Sequence, residues 1–243
     1  MPVLEHLAEL RTRLIICVVA VALGSIAGWF LYRPVFDLLT NPFCSFMRAH
    51  PNVAANPKHP CALVYLGVVE PFMVKLKVTV FCGLALALPV LLYQLWRFIT
   101  PALKPGERKF ALPFVLASIL LFVLGGLFAM VTLPRGLGFL LGFAGTSRVQ
   151  LVLSVGRYLG FVTLLIAAFG ASFEFPLVLI SLTLVGVLSS RKLRQWRRYA
   201  LVGIAVFAAV ITPSQDWFTM TAMMVPLILF YELAILVSRL LKR

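Results

Sequence analysis

Six apolar runs constrain this chain more than any other feature. They cover residues 14–32, 78–98, 110–133, 160–188, 199–211 and 217–237. About 20 apolar residues cross the hydrocarbon core as a helix. Lipid offers no hydrogen bonds, so each run must satisfy its own backbone, which only a helix does within one segment. Of the 243 residues, 62% are hydrophobic and 12% charged, against about 25% charged in a soluble domain. The expected fold class is an all-α integral membrane protein, a single transmembrane domain over residues 1–243 with an outer loop at 33–77.

The fifth run has only 13 residues. At about 1.5 Å per residue it reaches roughly 20 Å, short of the roughly 30 Å core. It joins the sixth through "TPSQD", so the chain returns to one side whether the pair spans a thinned bilayer or forms a shallow hairpin. Within the outer loop, "VVEPFMVKLKV" reads as a short amphipathic helix lying at the surface.

The net charge of +14 is first a topology signal, not a nucleic-acid one. With both termini inside, the inner segments hold Arg11 and Arg13; Arg97, Lys104, Arg108 and Lys109; Arg191, Lys192, Arg194, Arg197 and Arg198; and Arg239, Lys242 and Arg243. That is 14 of the 22 cations, in segments much shorter than the outer ones. Cytoplasmic enrichment of Lys and Arg therefore predicts six spans, N-in and C-in. The first apolar run is not expected to be a cleavable signal, because acids precede it and no small-residue cleavage site follows. No lipidation box stands at either end, and no internal repeat suggests an inverted-repeat transporter.

Cys17 and Cys82 fall in apolar runs and are expected to be buried thiols. Cys44 and Cys61 flank the polar stretch "SFMRAHPNVAANPKHP". A disulfide is plausible there if the loop faces an oxidising compartment. Metal binding with His50 and His59 is the weaker alternative, since the spacing fits no zinc pattern.

With only eight acids in the chain, each one is informative. In "EHLAELRTR", Glu5, Glu9 and Arg13 recur at i, i+4 and i+8 on one helix face. A structural reading is available: acids suit a helix start, and Glu9 with Arg13 is a favourable i,i+4 pair. Glu107 lies in the short inner loop "ITPALKPGERKF" beside Lys104, Arg108 and Lys109, as a cap or local charge partner, or as a carboxylate presented at the inner surface. Two such carboxylates can grip two guanidinium groups by paired N–H bonds, a geometry that lysine lacks. Glu174 in "FGASFEFPL" lies about midway along its run. A charge facing lipid there costs several kcal/mol, so it should face protein or a wet cavity. Glu232, nearer its helix end, could pair with Arg239. No HExxH, GxSxG or P-loop is present, so an enzyme is not expected, and no cofactor is implied.

"HLAELRTRL", "LYQLWRFITPALKPGERK", "FGASFEFPL" and "ITPSQD" follow one another at spacings that resemble TatC, the multispanning receptor subunit of the twin-arginine protein translocase. The resemblance covers nearly the whole chain. It implies a curved, cupped bundle with short fifth and sixth spans in the bacterial cytoplasmic membrane. By matching positions, Glu9 and Glu107 would receive the arginine pair of a signal peptide, with Leu10, Arg11, Arg13, Phe98, Pro101 and Arg108 around them. Glu5 has no clear counterpart. Glu174 would line the concave face. Pro71 and Phe72, after Glu70, match an outer-loop stretch. Thr212, Pro213 and Asp216 match the outer turn where the family docks its single-span partners TatA and TatB; near the start of span six, where some members carry an amide, this chain has Thr219, Met220 and Thr221. The paired cysteines of the outer loop resemble actinobacterial members. The implied partners are twin-arginine signal peptides of folded cargo, TatA and TatB, other copies of the chain and the bilayer, with no nucleic acid, and the proton-motive force drives export.

Two rival classes make different predictions. A proton-coupled small-solute transporter using Glu174 would need a central polar cavity with polar residues on facing spans. A purely structural or insertase-like scaffold would tolerate loss of Glu9 or Glu107 and ignore Arg-to-Lys changes in a signal.

Overall fold

The computed structural model describes residues 3–50, 61–99, 111–142, 153–184, 186–213 and 216–240. Among these residues the chain is helical almost throughout: α1 (Val3–Phe30), α2 (Tyr32–Ala49), α3 (Glu70–Ile99), α4 (Ala111–Gly142), α5 (Val155–Phe173), α6 (Phe175–Leu184), α7 (Ser190–Gln195), α8 (Arg197–Ile211) and α9 (Trp217–Leu240).

Among the described residues, five stretches are long and apolar enough to cross a membrane: Ala8–Phe30, Glu70–Arg97, Leu112–Leu140, Val155–Leu184 and Trp217–Leu240. Two expectations need correction. "VVEPFMVKLKV" does not contain a separate surface helix; from Glu70 onward it forms the first turns of α3. Pro71 fits there because the first turn of a helix has no intrahelical partner for its N–H groups. The sixth run is not short, since α9 has 24 residues and continues through a buried Pro226. Of the helices formed by the fifth and sixth runs α8 is the shorter, with 15 residues, about 22 Å at the standard rise.

The helices group into two compact units. The first holds Met1–Val35 and Lys75–Leu120. Its seam is α1 against α3, and it is closed by glycine. A Cβ on Gly24 would stand 2.6 Å from the Gly83 carbonyl oxygen, and one on Gly28 2.7 Å from that of Thr79. Gly24 and Gly28 are four residues apart, the spacing that lets membrane helices approach backbone to backbone. Lys75 lies 3.7 Å from the centroid of the Trp29 ring in a cation–π contact. At the other end of α3, buried Trp96 donates its indole N–H to the Ser118 hydroxyl at 3.1 Å and packs on Phe114. Cys82 is buried, while Cys17 is only partly covered.

The second unit holds Phe36–Val74 and Leu121–Arg243. Its core is aromatic: Phe128 meets Phe169 and Phe173, and Phe173 meets Phe230 edge-on at 5.0 Å. α4 approaches α5 at Gly125, where a Cβ would lie 2.6 Å from the Phe169 carbonyl oxygen. α6 packs along α9, and the Ser238 hydroxyl donates to that of Thr183 at 3.2 Å. Buried Tyr158 donates to the Leu39 carbonyl at 2.9 Å and packs at a tilt against Phe43, fixing α2 to α5.

Candidate functional site

Of the residues that the sequence singles out for an acidic site, the structure describes the group on one helix. Glu9, Leu10, Arg11 and Arg13 stand on α1, in the first unit. Glu9 and Arg13 form the expected i,i+4 ion pair, with Arg13 Nη2 and Nε both directed at Glu9 Oε1. Arg13 also donates from Nη1 to the main-chain carbonyl of Gln94 on α3, at 3.3 Å. This second contact holds the arginine side chain, and through it the carboxylate, against the end of α3. Arg13 retains 12% of its side-chain exposure and Glu9 31%. Glu9 is thus the reachable member of the pair. Leu10 and Arg11 are exposed beside it. Pro101, Glu107 and Arg108, together with the side chains of Glu5 and Phe98, lie outside the described residues. The roots of the intervening loop are nevertheless tied together by the Trp96–Ser118 bond between α3 and α4.

Glu174 caps the C-terminus of α5 and separates it from α6. The span begins earlier than expected, so Glu174 lies about two-thirds of the way along Val155–Leu184, not midway. It is half-buried and engaged in interactions within the protein. Pro176 follows in the first turn of α6, where its missing N–H costs nothing.

In the second unit, Glu70 is not a loop residue. Its Oε1 accepts from the Ser154 hydroxyl and from the Gly156 N–H at 2.9 Å, while Oε2 accepts from the Leu66 N–H. Ser154 is the N-cap of α5, and the same region is joined by main-chain bonds from Val64 to Leu153 and from Val155 to Val64. Pro71 and Phe72 are exposed on the first turn of α3. Ser154 was not singled out from sequence, and at 84 residues from Glu70 no spacing pattern could have found it.

The turn between α8 and α9 is built from side-chain caps. Buried Thr212 donates to the Ala208 carbonyl at 2.7 Å. Buried Asp216 accepts from the Thr219 N–H at 2.8 Å and from its hydroxyl at 2.6 Å. Pro213 and Met220 remain half-exposed. Glu232 pairs with Arg197 at 2.6 Å, not with Arg239 as the sequence suggested, because α8 runs beside α9 and brings Arg197 closer. Cys44 and Cys61 are free thiols; Cys61 Sγ lies 3.7 Å from the Cys44 carbonyl oxygen. Burial and the neighbouring Cys61 side chain push the Cys44 thiol up from 9.0 to about 12. No cluster of metal-ligating side chains occurs among the described residues.

Long apolar helices, a glycine-closed seam and ionic groups gathered near helix ends define a polytopic helical membrane protein. Residues 5–226 match the family described as Sec-independent protein translocase protein (TatC). The TatC protein of Frankia casuarinae is 44% identical over 98% of this chain, which spans 65% of that relative's length. That of Aquifex aeolicus is 40% identical over 100% of this chain and 97% of the relative. A crystal structure described as the twin arginine translocase receptor TatC superposes with a TM-score of 0.78 at 40% identity, covering 98% of this chain and 100% of that one. The chain belongs to the TatC family, whose members are translocase components and not enzymes.

Proposed function

We propose that this protein is the signal-peptide receptor subunit of a twin-arginine translocase in the bacterial cytoplasmic membrane, with six spans, α8 being the fifth, and both termini cytoplasmic. The observation that carries this reading is the Glu9–Arg13 pair at the reachable edge of α1 in a chain whose structural neighbours are described as twin arginine translocase receptors. Arg13 keeps Glu9 oriented until a ligand arrives. An incoming arginine then exchanges one guanidinium for another at the same carboxylate, and Glu107 takes the second arginine. Lys cannot reproduce the two parallel N–H bonds, so an Arg-Arg signal is preferred. Leu10, Arg11, Phe98 and Arg108 border the same surface.

Recruitment follows recognition. The half-exposed Pro213 and Met220, on the turn stiffened by Thr212 and Asp216, offer a docking edge for TatA- and TatB-type subunits, and Glu70, Pro71 and Phe72 belong to the outer face. Glu174 serves the cupped face where partner helices or an inserted signal settle, and other copies of the chain join the assembly. Transport draws on the proton-motive force. Cys44 and Cys61 form a disulfide when the outer face is oxidising.

The test is binding of a fluorescent Arg-Arg signal peptide to the purified protein in nanodiscs, beside its Lys-Lys counterpart. Wild type should prefer Arg-Arg by about tenfold or more, from two charge-assisted forks, and Glu9→Ala or Glu107→Ala should each remove the preference. Equal binding of both peptides by wild type would sink the receptor reading. Glu174→Gln should bind the peptide normally yet export poorly in cells; normal export would remove its assigned role.

A further inference from the structure

Beside α9, α7 borders a cavity of about 430 Å³ lined by Ser190, Arg191, Arg194, Gln195 and Arg239. That volume lies in the range of small-ligand sites, and three of its five lining residues are guanidinium-bearing. Their spacing is set by the fold. Leu193, between the two α7 arginines, is buried, and its main-chain carbonyl accepts the Tyr231 hydroxyl of α9 at 2.7 Å. The Ser238–Thr183 bond fixes the last turn of α9, next to Arg239, against α6. The wall is therefore assembled before any ligand arrives.

Among the described residues no ion pair neutralises the charges of this wall. Ion pairs join Glu9 to Arg13 and Glu232 to Arg197. The nearest acid in sequence, Glu232, is thus committed to Arg197, and neither pair includes Arg191, Arg194 or Arg239. Like charges three residues apart on a helix repel modestly. Three exposed arginines lining one open cavity, with the Ser190 hydroxyl and the Gln195 amide as further donors, suit phosphate oxygens, which arginine binds by paired N–H bonds.

The surroundings identify the source of that phosphate. Trp196 and Tyr199, just beyond α7, are 58% and 78% exposed; such aromatic residues mark the headgroup level of a bilayer. Leu233, Leu236 and Leu240 are exposed along α9, at spacings that share one side of the helix and run up to Arg239. A basic cavity at headgroup level continued by a bare apolar stripe fits a lipid, with its phosphate among the arginines and an acyl chain along the leucines. We propose that this cavity is a binding site for the phosphate headgroup of an anionic phospholipid. The proposal rests on the membrane-spanning class of the chain and not on the signal-peptide reading.

Native mass spectrometry of the full-length protein in detergent tests it, with phosphatidylglycerol and phosphatidylcholine offered at equal concentration. Wild type should retain phosphatidylglycerol about tenfold better, since each basic residue at the headgroup level contributes appreciably. The triple variant Arg191→Gln/Arg194→Gln/Arg239→Gln should bind the two lipids alike. Arg239→Gln alone should lower the preference about threefold, so the test stands if the triple variant does not fold. Arg135→Gln, on α4, should leave the preference intact. No preference in wild type, or an unchanged preference in Arg239→Gln, overturns the site. Displacement of phosphatidylglycerol by inorganic phosphate at equal concentration overturns its assignment to lipid and makes the ligand a soluble anion.

Discussion

Glu9 and Glu70 both stand in the first turns of long helices, yet they are held in different ways. The ion-pair partner of Glu9 is one turn away on the same helix. Glu70 accepts from Ser154 and Gly156, 84 and 86 residues distant, and one of these donors is a main-chain N–H. An i,i+4 pair is worth a few tenths of a kcal/mol, so losing Arg13 alone costs Glu9 little. A carboxylate that ties the start of α3 to the cap of α5 cannot leave without stranding a helix terminus. The contrast separates an acid paired within its own helix from one that joins two helices.

Glu70→Ala should show the largest effect, lowering the thermal transition by several degrees because the Ser154 hydroxyl and Gly156 N–H lose their acceptor. The Arg-Arg over Lys-Lys preference of whatever remains folded should be unchanged. A variant as stable as wild type would erase the contrast. Ser154→Ala removes one donor of the set and should fall between the two. Glu9→Ala should change stability by about 0.5 kcal/mol or less, measured by the same thermal transition, while removing the peptide preference. A loss of stability as large as that of Glu70→Ala would reassign Glu9 to the fold.

The smallest effect concerns Cys44. Its thiol is raised from 9.0 to about 12, so the reduced, folded protein keeps this proton through the window in which the unfolded chain loses it. The contribution to stability is complete below about pH 9 and declines as pH rises towards 12. Because the thiolate is the reactive form, alkylation of Cys44 at pH 8 should run slower in the folded than in the unfolded reduced protein. Intact mass without reductant checks the oxidised alternative, where two freely alkylated thiols would exclude a Cys44–Cys61 bond.

Much of this was legible in sequence. Apolar runs announce themselves because lipid leaves the backbone no other partner, and the Glu9–Arg13 pair follows from helical spacing alone. The start of α3 was hidden because Glu70, Lys75 and Lys77 interrupt the hydropathy that marked the rest of the span. The partners of Glu70 were illegible for a different reason: they are brought to it by tertiary packing. Glu232 pairing with Arg197 over Arg239 likewise depends on which helix lies alongside, and that is not a property of local spacing. Glu107 was named from its loop and lies beyond the described residues, so its share of the site rests on the sequence.

The seam between α1 and α3 carries one more consequence. Where side chains mesh, a sequence can drift through intermediate sizes and the neighbours adjust. At Gly24 the opposing surface is main chain, and at Gly28 it is the Thr79 carbonyl beside the Cys82 side chain, so the smallest step away from glycine already adds an atom where 2.6 and 2.7 Å are available. Variation there meets a cliff and not a slope, and any lineage carrying this helix pair can alter the seam only by moving both helices together.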